Sequence, residues 1–216
     1  MTRLALFDCD GTLVDSLGAI RAAMDATFAD EGLALPGAGV REIVGLSVEE
    51  AIARLRPPHE EGRIERMADG YRRHYRANRE ADAVAEPLFP GVTALLDRLT
   101  AAGWALGIAT GKSRRGLDAL LATHDLAGRF VTTQTADAHP SKPHPAMALA
   151  ALAEAGVEAR DAVLIGDTEF DMALAANAGV RAIGVAWGYH DAARLKAAGG
   201  EWVADTAEAL GNRLCG

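Results

Sequence analysis

The chain contains few cysteines and no long apolar run. Cysteine occurs only at Cys9 and Cys215, near opposite ends of the 216 residues. A disulfide between them is therefore not expected, and a reducing compartment fits this cysteine usage. No apolar run approaches the ~20 residues that a membrane-spanning helix needs, and the sequence does not open with a basic segment followed by an apolar one. These absences predict a soluble, cytoplasmic protein that does not act at a membrane.

Positive charge is also in short supply. The 22 lysine and arginine residues are outnumbered by 30 aspartate and glutamate residues, so the formal net charge is −8. This balance argues against a surface that binds nucleic acid or an anionic membrane. Lysine itself occurs only at Lys112, Lys142 and Lys196. An acidic protein that handles an anionic substrate must concentrate positive charge locally, so a lysine in this chain is worth examining for such a role.

The patterns that are present predict an α/β fold. Half of the residues are hydrophobic, and 216 residues suffice for one large domain or for a core with a smaller insert. After residue 86, short apolar runs alternate with helical patterns of ~10 residues, which is typical of parallel βαβ units. Between residues 16 and 85 the pattern is helical, without a convincing strand. We therefore predict a core of residues 1–15 and 86–216 and an inserted all-helical cap of residues 16–85.

The predicted strands cover residues 4–7, 104–109, 130–133, 162–165, 182–186 and 202–203. The first predicted helix begins at Ser16 as an N-cap, and the others cover residues 48–55, 60–79, 91–101, 113–121, 145–155, 169–178, 191–198 and 206–210. Pro57 and Pro58 are expected to close the second helix. Parallel sheets bind ligands at the carboxyl ends of their strands, so polar residues at these ends are candidates for a functional site.

Asp8 and Asp10 directly follow the first apolar run. If both continue the strand, they point to the same side, because side chains alternate with a period of two. Two carboxylates repel each other by about 4 kcal/mol at about 4 Å in an effective dielectric of about 20. A cation, a proton or a strong donor must offset that repulsion. On residue types alone, a polar strand-to-turn junction explains the pair equally well.

Three later segments favour a functional site over a turn. Asp8-Cys9-Asp10-Gly11-Thr12 is followed by Ala109-Thr110-Gly111, by Lys142-Pro143-His144-Pro145, and by Gly166-Asp167-Thr168-Glu169-Phe170-Asp171. Each segment falls at a predicted strand end or helix start. In this order the four segments resemble the four motifs of the haloacid dehalogenase-like hydrolases. The resemblance covers nearly the whole chain, and Gly184 to Tyr189 resembles a segment of phosphoglycolate phosphatase-like members with an α-helical cap.

This resemblance implies a Rossmann-like parallel sheet with a helical cap, and Mg²⁺-dependent hydrolysis of a small phosphorylated metabolite. Asp8 would be the nucleophile that forms an aspartyl-phosphate. Asp10 would be the acid that protonates the leaving alkoxide and then the base that activates water. Mg²⁺ prefers oxygen ligands. The resemblance implies that Asp8, Asp167 and the backbone carbonyl of Asp10 supply them.

Four further residues are expected to support this chemistry. Thr110 and Gly111 can hold phosphate oxygens, although Thr110 taken alone fits a strand-end cap as well. Lys142 would neutralise the nucleophile and bind the transferring phosphoryl group, the alternative being a surface lysine in a proline-rich loop. Asp171, four residues after Asp167, is a metal ligand or a support for one, and we favour the support.

Several activities share these motifs. A phosphatase that acts on phosphoglycolate is the leading prediction. A sugar-phosphate mutase of the β-phosphoglucomutase type or a pyrophosphatase is the alternative. A phosphate-binding module without turnover is disfavoured, because Asp8, Asp10, Thr110, Lys142 and Asp167 are all present. Residues 16–85 contain no lysine, which argues against the Schiff-base chemistry of the family's phosphonate hydrolase. The protein is expected to be a monomer or a homodimer, with no nucleic-acid partner.

Overall fold

A computed structural model describes residues 2–37, 39–55 and 62–216 of the chain. Its six strands form one parallel sheet in the order β3-β2-β1-β4-β5-β6. The strands are β1 (Arg3–Phe7), β2 (Trp104–Thr110), β3 (Thr132–Thr135), β4 (Ala162–Gly166), β5 (Arg181–Val185) and β6 (Trp202–Ala204). The predicted α/β class with a Rossmann-like parallel sheet is confirmed, and the strand order reverses between β1 and β4.

Helices cover both faces of the sheet, as buried parallel strands require. One face carries α4 (Val92–Ala101), α5 (Arg114–Thr123) and α9 (Ala207–Cys215). The other face carries α6 (Ala146–Ala155), α7 (Glu169–Ala178) and α8 (Ala192–Ala197). Neighbouring strand residues alternate between the two layers, so that Phe7 packs into the first and Leu6 into the second. The sheet and the six helices therefore form a three-layer core.

The chain between β1 and α4 contains α1 (Leu17–Asp30), α2 (Val48–Leu55) and α3 (Arg63–Glu80). These helices build an apolar cluster of their own, to which Phe170 and Tyr189 of the core also belong. The two segments that connect them to the core run side by side. The backbone N–H of Phe89 donates to the carbonyl of Leu13 at 3.0 Å, and that of Asp15 to the carbonyl of Pro87 at 2.9 Å. The segment that carries α1, α2 and α3, called the insert below, therefore leaves and rejoins the core at one place.

Most element boundaries agree with the sequence predictions to within one or two residues. Three further findings concern β3, α9 and Ser16. Strand β3 begins at Thr132 rather than Phe130, because its pairing with β2 runs from Thr132 to Thr135. Helix α9 continues past Leu210 to Cys215. Ser16 stands at the N-cap of α1 but makes no capping hydrogen bond, since its hydroxyl donates to Asp10 instead.

Two further predictions fall outside the described residues: the helix end at Pro57 and Pro58, and a third helix that begins at Glu60. Within the described part of the chain, none of the helices is both long and apolar enough to cross a membrane.

Candidate active site

The carboxyl ends of β1, β2 and β4 bring the candidate residues to one edge of the sheet. Asp8 and Asp10 follow β1, Thr110 ends β2, and Asp167 follows β4. The backbone N–H of Asp8 donates to the carbonyl of Ile165 at 2.8 Å, which extends the pairing of β1 with β4. This edge lies where the strand order reverses, the position at which open parallel sheets bind ligands.

Three buried carboxylates meet there. One oxygen from each of Asp8, Asp167 and Asp171 lies within 4.8 Å of the other two. Burial is the main cause that raises the pKa of Asp8 to about 7, and the charges of Asp171 and Asp10 add to it against the attraction of Lys142. Burial, followed by the charges of Asp171 and Asp8, likewise raises the pKa of Asp167 well above its usual range. The cluster needs a compensating cation or bound protons.

Glycines allow Asp167 to reach this position. A Cβ atom at Gly11, whose φ is +86°, would lie 2.1 Å from Asp167 Oδ2, and a Cβ at Gly188 would lie 2.2 Å from Asp167 Cβ. The carboxylate is also held by donors, because Oδ1 accepts the Thr12 hydroxyl and Oδ2 the backbone N–H of Tyr189, both at 2.9 Å. Gly11 is therefore needed for its conformation and for the space that it leaves.

Lys142 supplies the positive charge nearest to the cluster. Its ammonium lies 2.8 Å from Asp8 Oδ1 and donates to Asp171 Oδ1 at 2.6 Å, and the lysine side chain is fully buried. Burial alone would lower the pKa of Lys142, but the attraction of Asp171 and Asp8 outweighs it and raises that pKa. The lysine is therefore charged at the base of the site, and the peptide bond that follows it, Lys142–Pro143, is cis.

The remaining acceptor capacity of the cluster suits a hard divalent cation. Asp8 Oδ1 and Oδ2 are both buried; Oδ1 contacts the Lys142 ammonium, and Oδ2 has no hydrogen-bond donor among the described residues. Each carboxylate oxygen of Asp167 accepts a single hydrogen bond and keeps a free lone pair. Asp171 is more fully engaged, since Oδ2 accepts both the N–H and the hydroxyl of Thr168 while Oδ1 binds Lys142. Asp8 and Asp167 therefore fit a metal ion best, and Asp171 fits a supporting position.

Asp10 lies in a different setting. Its Oδ1 accepts the hydroxyl of Ser16 and lies 2.9 Å from the ammonium of Lys112. The same ammonium donates to the hydroxyl of Tyr75 at 2.8 Å and to Glu86 Oε1 at 3.3 Å. Tyr75 belongs to α3 of the insert, so Lys112 joins Asp10 of the core to the helices above it.

Thr110 and Gly111 directly precede Lys112 at the end of β2. Thr110 is fully buried, and its Oγ1 accepts the backbone N–H of Lys112 at 3.2 Å. A Cβ at Gly111 would lie 2.4 Å from the backbone oxygen of Leu46 in the insert. Gly111 thus lets the insert approach the core closely, and a larger residue would force the two apart.

A cavity of about 590 Å³ lies between the insert and the core. Asp10, Gly111 and Lys112 line it on the core side, whereas Asp8, Lys142 and Asp167 do not line it and are at most 1% exposed. The two aspartates of the first motif therefore face different surroundings. Asp8 belongs to the buried acidic cluster, and Asp10 faces the cavity, which is large enough for a small molecule.

The sequence analysis missed the residues around Asp10. Lys112 received no role, although it is one of three lysines and stands two residues after Thr110. Those two facts were the available signal. The contacts of Ser16 and Tyr75 had no comparable signal, because they depend on how the insert packs against the core.

Known proteins similar to this chain fall in one family. The model of the haloacid dehalogenase-like hydrolases matches residues 5–185. "Probable phosphatase IndB" of Dickeya dadantii is 37% identical over 214 residues, which cover 95% of this chain and 90% of that protein. The phosphoglycolate phosphatase of Rhodospirillum rubrum is 35% identical over 196 residues, covering 88% and 81%.

Solved structures agree with these sequence matches. The crystal structure of a hydrolase from Pseudomonas syringae superimposes with a TM-score of 0.87 at 25% identity, covering 99% of this chain and 98% of that one. The family match spans the first strand, the insert and the core through β5. The chain therefore belongs to the haloacid dehalogenase-like hydrolases.

Proposed function

We propose that this protein is a Mg²⁺-dependent phosphatase that hydrolyses a small phosphomonoester through an aspartyl-phosphate on Asp8. The observation that carries the proposal is the buried cluster of Asp8 and Asp167, with Asp171 and Lys142 beside it. Phosphate monoesters hydrolyse extremely slowly without a catalyst, so a nucleophile, charge neutralisation and a proton donor are all needed. The cluster and Asp10 together offer these three functions.

Asp8 and Asp167 would hold the metal ion, with the backbone carbonyl of Asp10 as a further oxygen ligand. Mg²⁺ supplies positive charge that lets an anionic nucleophile approach an anionic phosphate. Asp171 would support this arrangement by holding Lys142 and the start of α7 in place, as its bonds to Lys142 and Thr168 favour. The unpartnered Oδ2 of Asp8, with Oδ1 bound by Lys142, supports the assignment of Asp8 as ligand and nucleophile.

In the first step, a carboxylate oxygen of Asp8 attacks phosphorus, and the bond from phosphorus to the ester oxygen breaks. Asp10 donates its proton to the departing alkoxide. In the second step, Asp10 accepts a proton from water, whose oxygen attacks phosphorus and releases phosphate from Asp8. Lys142, Thr110 and the backbone at Gly111 would hold the phosphoryl oxygens during both steps.

The helices between residues 16 and 85 would act as a cap over residues 1–15 and 86–216. Asp8 is 1% exposed, so a substrate can reach it only if the insert moves away from the core. The paired segments around Leu13 and Phe89 are the natural hinge, because they are the chain's two passages between these parts. Opening would admit the substrate, and closure would exclude water from the reacting centre.

Phosphoglycolate is the first substrate to assay, because relatives that are 31–35% identical bear the name phosphoglycolate phosphatase. A cytoplasmic location and a monomeric or homodimeric state remain predictions from the sequence.

Turnover of p-nitrophenyl phosphate tests the proposal. We expect release of p-nitrophenol with Mg²⁺, a fall to background with EDTA, and restoration by excess Mg²⁺. Asp8→Asn should lower kcat by about 10⁴-fold or more, because the variant lacks the attacking oxyanion, while a melting curve shows that it is folded. Equal background rates with Mg²⁺ and with EDTA would indicate a binding module, and an active Asp8→Asn variant would exclude the covalent route.

A further inference from the structure

The cavity between the insert and the core carries an unusual set of charges. Three carboxylates line it, and each has a partner: Asp10 lies beside Lys112, Glu49 pairs with Arg72, and Asp137 accepts the backbone N–H of Arg114. Five basic side chains line the same cavity, namely Arg72, Arg76, Arg79, Lys112 and Arg115, so the lining carries more positive than negative charge.

Three arginines in this lining have no such match. Arg76, Arg79 and Arg115 line the cavity, and no hydrogen bond, ion pair or ring contact joins the side chain of any of them to another described residue. In a chain with a formal net charge of −8, several unpaired guanidinium groups around one cavity are unexpected. Arginine binds carboxylates and phosphates by paired hydrogen bonds, so these groups are suited to an anion from outside the chain.

The arginines come from both sides of the cavity. Arg72, Arg76 and Arg79 follow one another at helical spacing and share a face of α3, while Arg115 stands in the first turn of α5 in the core. An anion between them would touch the insert and the core together. It would then favour the arrangement in which both sides are close.

Apart from these charged groups, the lining is largely apolar. It includes Ile20, Met24, Ile43, Val44 and Val48. A volume of about 590 Å³ lies within the range of about 300–1,000 Å³ that small-molecule sites occupy. The two-carbon leaving group of phosphoglycolate would fill a minor part of it and would leave the apolar walls without a partner.

We propose that the cavity binds a leaving group with a carbon skeleton longer than two carbons and a second anionic group at its far end, held by Arg76, Arg79 and Arg115. This inference rests on the proposed function, because Asp10, the proposed acid for the leaving group, lines the same cavity. The apolar walls contact the carbon skeleton, and the guanidinium groups bind the terminal carboxylate or phosphate. The protein then selects substrates by length and by terminal charge.

A matched pair of esters tests this selection. Phosphonooxyhexanoate and hexyl phosphate have carbon chains of equal length and differ in the terminal carboxylate. We expect kcat/KM for the carboxylate ester to exceed that for hexyl phosphate by about tenfold or more, the usual effect of a hydrogen bond to a charged group. It should also exceed kcat/KM for phosphoglycolate. Hexanediol bisphosphate, assayed beside them, shows whether a terminal phosphate is preferred over a carboxylate.

The variant Arg76→Gln/Arg79→Gln/Arg115→Gln should bring the ratio between the two esters close to one. Arg73→Gln is the matched control, because Arg73 is exposed on the same helix and does not line the cavity, and it should keep the wild-type ratio. Calorimetric binding of both esters to the Asp8→Asn variant gives the same ratio without turnover. Failure of the proposed phosphatase chemistry therefore leaves this measurement intact.

A ratio near one in the wild-type protein, in turnover and in binding, would overturn the proposal. So would a ratio that survives in the triple variant, or a kcat/KM that is highest for phosphoglycolate.

Discussion

Lys142 and Lys112 each lie beside an aspartate of the first motif, but their surroundings differ. The Lys142 side chain is fully buried, and both of its carboxylate partners, Asp8 and Asp171, belong to the core. The Lys112 side chain is 8% exposed and reaches Asp10 and the hydroxyl of Tyr75 on α3. The first lysine is therefore fixed by the core alone, whereas the second depends on where the insert lies.

This difference separates two requirements of the proposed reaction. Charge balance around the nucleophile has to persist whether the insert is open or closed, because the acidic cluster is present in both states. Protonation of the leaving group matters only when the substrate is enclosed. A lysine that contacts both Asp10 and the insert can change the surroundings of the acid at closure, and the lysine beside Asp8 cannot.

The largest effect is expected from Lys142→Met. The variant removes the only ammonium beside Asp8 and Asp171 in the described structure, so kcat should fall by about 10²- to 10³-fold. Breaking a buried ion pair also lowers the free energy of unfolding, by about 3–5 kcal/mol. Mg²⁺-dependent phosphate release and a thermal melt measure the two effects. A kcat within threefold of the wild-type value, a margin of about 0.7 kcal/mol, would remove Lys142 from the chemistry.

The Lys142 group was predictable from the sequence because its parts come from local motifs at strand ends. An apolar run followed by Asp8 and Asp10 indicates a strand that ends in a site, and the parallel pairing of β1 with β2 and β4 brings Thr110 and Asp167 to the same edge. Parallel pairing follows from the alternation of strands and helices, so the fold class was also accessible, whereas the strand order was not predicted. The side chains of this group meet because the paired strands end at the same edge of the sheet.

The Lys112 group was not predictable in this way. The ring centroid of Tyr75 lies 5.6 Å from that of Tyr71 on the same helix, and its hydroxyl meets Lys112 and Glu86. No local pattern relates residues on α3 to the residue after Gly111. The angle at which the insert packs on the core decides these contacts, and sequence periodicity carries no information about that angle.

A smaller and more selective effect is expected from Lys112→Met. If Lys112 positions Asp10 as the acid, alkyl phosphates should lose about tenfold to a hundredfold in kcat/KM, since an alkoxide leaves only with a proton. p-Nitrophenyl phosphate should lose much less, because p-nitrophenolate leaves without one. Lys196→Met on α8 is the matched control, as Lys196 is exposed and outside both groups. Equal losses with both kinds of ester would show that Lys112 acts in another way.

The smallest effect concerns the pH dependence of Mg²⁺ binding. The pKa of Asp8 in the metal-free protein is raised to about 7, and a metal ligand must be deprotonated. Above this pH the carboxylate is free, and below it Mg²⁺ has to displace a proton. Because the pKa of Asp167, the other proposed ligand, is raised as well, the apparent Kd for Mg²⁺ should rise by about tenfold or more for each pH unit below about 7, as calorimetric titrations at several pH values would measure.

The two lysine variants also test whether Asp8 and Asp10 lie in separate electrostatic surroundings. The charge of Lys142 lowers the pKa of Asp8, so Lys142→Met should raise that pKa further and move the break in Mg²⁺ affinity to higher pH. Lys112 contacts Asp10 rather than Asp8, so Lys112→Met should leave the break near its wild-type position. A break that moves equally in both variants would mean that Lys112 acts on Asp8 as strongly as Lys142 does, and the separation between the buried cluster and the cavity would then be wrong.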